Sequence, residues 1–167
     1  EVQPTPEYPF LVSGDEYFQP NLAVLGIITD AVLQPTRFDP SERRAVDQDL
    51  RYFFRPEQEV GAGGSIRVTA PQGFDFGTTS CMAMDLDDAY YAIGAVPLHA
   101  TLRLPGIVSC TTSASETDGT MNVAHIQMSN ILLAGRLYAF KIHITNPSEY
   151  DPSQLSGWTL LTADASG

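Results

Sequence analysis

The chain has 167 residues, 43% of them hydrophobic and 17% charged, which is the length of one domain and enough to bury a core without a metal or a disulfide framework. Nine Lys and Arg stand against 20 Asp and Glu, a net charge of −11; such a surface repels phosphate backbones, so nucleic acid and anionic membranes are excluded as partners. The charged fraction lies below the ~25% usual for soluble domains, and Ser, Thr, Gly and Pro take its place, which suits strands joined by turns.

Residues 1–20 hold Pro4, Pro6, Pro9 and Pro20, a spacing that forbids a helix and favours an extended arm. The arm is also apolar, with Tyr8, Phe10, Leu11, Val12, Tyr17 and Phe18. A segment that stayed in water would be polar, so these side chains are expected to lie in a groove. Residues 22–29 (LAVLGIIT) read as a strand buried on both faces, and Leu22 and Val24 continue the apolar character of the arm into it. This is the longest apolar run and is too short to cross a bilayer, so no membrane insertion is expected. Residues 33–40 are expected to be loop, punctuated by Pro35 and Pro40.

Residues 41–55 admit two readings. Ser41 caps a helix with Ala45, Val46, Leu50 and Phe53 as its apolar positions, or Leu50, Tyr52 and Phe54 alternate with Asp49, Arg51 and Phe53 in strand period. The run of aromatics favours the strand. Beyond the turn at residues 56–64, Ile66, Val68 and Ala70 alternate with polar neighbours until Pro71. Ala100, Leu102 and Leu104 repeat the pattern, as do Ala124, Ile126 and Met128. In the cleanest strand, Tyr138, Phe140, Ile142 and Ile144 are predicted to face in and Ala139, Lys141, His143 and Thr145 out. Trp158 and Leu160 begin the last. About eight strands with no βαβ rhythm predict an all-β, antiparallel sandwich over residues 21–167, preceded by the arm.

Cys81 and Cys110 are compatible with one disulfide in an oxidising compartment, or with two buried free thiols in a reducing one. The β-rich surroundings favour the disulfide.

Three segments resemble a known family. They are LRYFFRPEQEVGAGGSIRVTAPQGFDF (50–76), ILLAGRLYAFKIHITNP (131–147) and GWTLLTAD (157–164). Together they are similar to the immunoglobulin-like modules of large extracellular proteins of microalgae and related protists. The resemblance covers roughly the last two-thirds of the chain, a β-sandwich's usual span. It implies a secreted or surface-displayed structural module with no enzyme activity. It assigns Gly63 and Gly64 to a turn with positive φ, Phe74 to the end of the sandwich and Gly135 to the turn before the Tyr138 strand. Such modules usually recur in tandem, whereas here one module follows a long apolar arm. In this the chain resembles subunits of extracellular fibrils that link by donated strands.

Little in the sequence points to chemistry. His99, His125 and His143 lack any ligand spacing and read as satisfied surface residues. The GAGGS cluster lacks the Lys-Ser/Thr end of a phosphate loop and leads into a strand. Asp85, Asp87 and Asp88 could supply several oxygen ligands to calcium, with a solvated acidic loop as the alternative. No N-glycosylation sequon is present, since Pro147 follows Asn146, but the Pro/Thr-rich stretch 3–6 and the Ser/Thr-rich stretch 111–120 suit O-linked sugars of a glycoprotein.

Two functions follow. The first is a structural subunit that assembles with copies of itself. The arm, through Tyr8, Phe10, Val12, Tyr17, Phe18, Leu22 and Val24, would add to a neighbour's sheet edge along a groove lined by residues such as Phe140 and Ile142; the other reading of the arm is the domain's own first strand. The alternative is an extracellular adhesin or carbohydrate-binding module with Tyr90, Tyr91 and Trp158 as a sugar platform.

Overall fold

The computed structural model describes residues 28–35, 47–78, 80–91, 100–114, 119–147 and 157–165. The described residues form nine strands: β1 (Ile28–Pro35), β2 (Asp47–Pro56), β3 (Ser65–Thr69), β4 (Ala83–Met84), β5 (Thr101–Arg103), β6 (Ile107–Ser113), β7 (Val123–Met128), β8 (Leu137–Thr145) and β9 (Thr159–Ala163). A single 3-10 turn, Asp88–Tyr90, interrupts them. Two sheets face each other. The first runs β1-β2-β8-β4, with β5 also on β8; the second runs β6-β7-β3-β9.

Period-two alternation explains the core. In the first sheet Leu50, Tyr52 and Phe54 of β2 lie opposite Ile142, Phe140 and Tyr138 of β8, and all six are buried. In the second, Ile66 and Val68 of β3 pair with Ile126 and Ala124 of β7 and have no exposed surface. Each fully buried side chain of this kind contributes about 1.5–3 kcal/mol, so the two inner faces meet as one apolar layer. Rings reinforce the contact. Tyr52 stacks on Phe140 with centroids 5.0 Å apart and planes 8° from parallel. Phe54 meets Phe140 edge-on at 6.1 Å.

Four expectations need correction. β1 occupies Ile28–Pro35, so residues 33–35 are strand and not loop. It is an edge strand with a register shift between Thr29 and Val32, and an edge tolerates Asp30 and a terminal Pro35 where a central strand would not. Residues 22–27 of the expected strand lie outside the described residues.

The sandwich is not wholly antiparallel either: β5 runs parallel to β8. β4 leaves β8 in the antiparallel sense, and the chain reverses before returning as β5 along the same edge. β4, β5 and a bridge from Asp75 to Thr145 together cover that side of β8.

Ala139, expected to face solvent, is buried. The segment carrying Leu86 and Tyr91 folds over the outer face of the sheet and packs on it beside Phe53.

Gly63 has φ 82°, as expected of its turn, but Gly64 does not occupy the left-handed region. Its constraint is space. A Cβ there would collide with Val60 Cγ1 and lie 2.8 Å from the Ala163 carbonyl oxygen and 2.9 Å from that of Gly61. Gly64→Ala is therefore expected to cost about 1–3 kcal/mol, as for other overpacked sites. A calorimetric melt unchanged from wild type would contradict this packing.

Candidate functional site

The two long sides of the sandwich are closed differently. On one, β4 and β6 are the neighbouring sheet edges, and Cys81 and Cys110 form a disulfide there with Cα atoms 5.1 Å apart. The Cys81 N–H donates to the Cys110 carbonyl at 3.2 Å, and Ser80 bridges Thr111. This pairing places the chain in an oxidising environment.

On the other side, β1 and β9 are the edges, and among the described residues no strand pairs with the outer edge of either. A shallow apolar cleft runs between them, lined by Ala31, Val32, Leu33, Tyr52, Trp158 and Leu160, with a cavity of about 10 Å³. That is room for about one water, so the cleft is a seam and not a pocket. Leu33, opposite Tyr52, turns into the cleft, whereas Val32, 46% exposed, lies opposite Phe53 and so has its side chain on the outer face of the sheet.

Tyr52 carries an unusual feature. Its ring lies in the core against Phe140 and lines the cleft. Its hydroxyl is buried without a hydrogen-bond partner, and burial raises its pKa well above the ordinary tyrosine value. A buried unpaired hydroxyl typically costs about 1–3 kcal/mol.

The arm residues Tyr8, Phe10, Val12, Tyr17, Phe18, Leu22 and Val24 lie outside the described residues. The groove expected over Phe140 and Ile142 is absent. Both have no exposed surface, because β2 and β4 flank β8 and the second sheet covers it. The opening lies one strand further out, at β1 and β9.

The three rings expected to form a sugar platform are dispersed. Trp158 packs edge-on against Phe74 at 5.0 Å and Phe76 at 6.4 Å, in the core at one end. Phe74 is thus partly buried against the core. Tyr91 is 9% exposed, and its hydroxyl accepts the Leu86 N–H at 2.7 Å and donates to the Ala139 carbonyl at 3.1 Å. Burial, ahead of smaller opposing effects, raises its pKa. Tyr90 alone remains open, at 38%, with the Arg51 guanidinium 5.1 Å from its ring centroid.

The acidic loop is organised by a residue that the sequence reading passed over. Arg103 bonds both Asp85 and Asp88 and lies 4.4 Å from the centroid of the Tyr91 ring. These hydrogen bonds raise its pKa further. A guanidinium therefore pairs with two of the three carboxylates expected to hold calcium, while the third, Asp87, is exposed at the start of the 3-10 turn. Among the described residues no group of three or more His, Cys, Asp or Glu converges as a metal site would require. The signal for Arg103 was its place as the polar residue of an alternating strand, which put a cation on the outer face.

His143 Nδ1 lies 3.1 Å from Asp49 Oδ1, which also faces Lys141 Nζ at 3.8 Å. His125 Nε2 lies 3.3 Å from Ser113 Oγ, and burial, then Arg67, lowers its pKa. Both are partnered, as expected; His99 lies outside the described residues. No helix among the described residues is long and apolar enough to cross a membrane.

Neither a protein-family model, nor a curated protein, nor a solved structure matches this chain.

Proposed function

We propose that the protein is a non-enzymatic structural subunit of an extracellular filament or cell-surface assembly. In this reading an immunoglobulin-like sandwich joins copies of itself head-to-tail by strand addition of residues 1–20. The observation that carries it is the unequal closure of the sandwich. A disulfide ties the β4 side to β6, while among the described residues no strand pairs with the outer edge of β1 or β9 and an apolar seam lies between them. An unpaired edge is a template for another chain's backbone, and the apolar, proline-spaced arm is suited to lie along one. The "immunoglobulin-like" assignment concerns the layered layout. The disulfide joins sheet edges here, whereas antibody domains bridge their sheets through the core.

Other features agree with a structural role. Arg103, Tyr91, His125 and His143 hold the fold together through the contacts above. Of the three rings in the adhesin alternative, Tyr91 is buried, Trp158 is partly buried and Tyr90 is 38% exposed, so they do not form one platform.

The test is sedimentation velocity and negative-stain imaging of the full chain over a concentration series. Concentration-dependent assemblies that extend into fibres are expected, and the double substitution Tyr8→Asp, Phe10→Asp should abolish them. A wild-type protein that stays monomeric throughout would overturn the reading. So would assemblies that persist in the double variant, or that stop at a closed dimer.

A further inference from the structure

We propose that a second copy of this chain docks on the outer face of the first sheet and sets its acidic turn, residues 57–59, on the cations Arg51 and Lys141. The inference rests on the reading above, that copies of the chain associate, and adds a contact made without the arm.

The receiving face carries charge that the chain does not offset. Register puts Arg51 of β2 directly opposite Lys141 of β8. Like charges so placed destabilise a sheet. The Arg51 guanidinium lies 5.1 Å from the Tyr90 ring centroid and meets no carboxylate among the described residues. Lys141 Nζ reaches Asp49 only at 3.8 Å, and that carboxylate also faces His143 at 3.1 Å. Arg103, on the same face, is by contrast taken up by Asp85 and Asp88. One row away from the two cations the face is apolar. Val32 lies opposite Phe53, whose ring centroid is 6.3 Å from that of Tyr90. Val32 and Tyr90 are both exposed.

The complementary surface is at one end of the same molecule. The chain flanking the Val60–Leu132 bridge carries Glu57 and Glu59 on one side and Ile131 and Leu133 on the other, all four exposed. Neither glutamate has a hydrogen-bond or ion-pair partner among the described residues. Asp49, Asp75, Asp85, Asp88 and Asp164 are held by groups within the chain. Asp87 is single and belongs to the segment folded over the cationic face itself. Two acids beside two exposed apolar side chains therefore match two cations beside Val32, Phe53 and Tyr90. From Arg51 to Glu57 the extended chain covers roughly 20 Å, beyond the span of the two side chains, so the match is made between copies. It joins different surfaces of the two partners and can propagate.

The test is sedimentation velocity of the full chain at low ionic strength, where exposed charges are screened least. A face variant carries Arg51→Glu with Lys141→Glu, and a turn variant carries Glu57→Lys with Glu59→Lys. Each is expected to weaken association about tenfold, through loss of exposed pairs and the repulsion that replaces them. The turn variant separates this contact from overall charge. Exchanging two Glu for two Lys moves the net charge from −11 to −7, which lowers repulsion between copies, so a response to net charge alone would strengthen association. Mixed in equal amounts, the two variants place an acidic face against a basic turn and a basic face against an acidic turn, and association should return to about the wild-type level. Thermal melts control for folding. Should the acids added beside Asp49 unfold the face variant, Arg51→Gln with Lys141→Gln takes its place, with association weakened about threefold.

Variants that associate as wild type does, or a mixture no stronger than its components, would overturn the contact and leave the filament reading standing. Association that mixing restores but that stops at a dimer would keep the contact and overturn the filament reading. A wild type that stays monomeric overturns both, and if that monomer binds dextran sulfate through Arg51 and Lys141 the face belongs to an acidic glycan.

Discussion

Phe140→Ala is expected to lower stability by about 3–5 kcal/mol, the usual cost of emptying a fully buried aromatic site. For a chain of this size that corresponds to a fall in Tm of roughly 6–20 °C. Phe140 has no exposed surface and lies at the centre of β8, the strand with most neighbours. Its ring is stacked on Tyr52 and met edge-on by Phe54, and such pairs add about 0.5–1.5 kcal/mol beyond area burial. Truncation leaves a cavity and releases Tyr52, which in turn touches Trp158 at 6.2 Å. The loss should therefore reach the β1–β9 seam, seen as faster amide exchange in both edge strands. A loss below about 1 kcal/mol, measured by denaturant titration, would mean that the sheets do not meet through this ring.

Replacing both cysteines, Cys81→Ala with Cys110→Ala, is expected to cost about 3.5 kcal/mol. The two are 29 positions apart, and closing a loop of that length removes about this much freedom from the unfolded chain. The corresponding fall in Tm is roughly 7–14 °C. Replacing the pair avoids leaving a lone thiol. The effect should also be local. β4 has only two residues and is held at its start by the disulfide, so exchange of its backbone amides should rise before that of β2 or β8. A double variant that melts with wild type would show that the bridge contributes nothing to holding the sheets together.

Much of the fold was legible from alternation alone. The inward sets Leu50–Tyr52–Phe54, Ile66–Val68–Ala70, Ala124–Ile126–Met128 and Tyr138–Phe140–Ile142–Ile144 are buried as their spacing predicts, because a strand with one face on a core must repeat every two residues. Cysteine count and composition likewise anticipated the disulfide. The failures share a cause. Residues 33–35 of β1 were assigned to loop because a strand that carries polar residues and ends on proline does not announce itself as an apolar run. Ala139 was assigned to solvent because periodicity cannot see a loop folding back over the outer face. The pairing of Asp85 and Asp88 with Arg103 was likewise invisible, because Arg103 is distant in sequence and arrives through β5.

By itself, then, the order of residues determined which faces turn inward, that the layers are sheets, and that the leading segment is apolar and rich in proline. Only tertiary structure decided which strands stand at the borders, where the covalent tie lies and which aromatic groups stay accessible. Side-chain period is a local property, dictated by backbone geometry over a few residues. Strand neighbours and borders depend on contacts between residues far apart along the chain, and no local pattern encodes them.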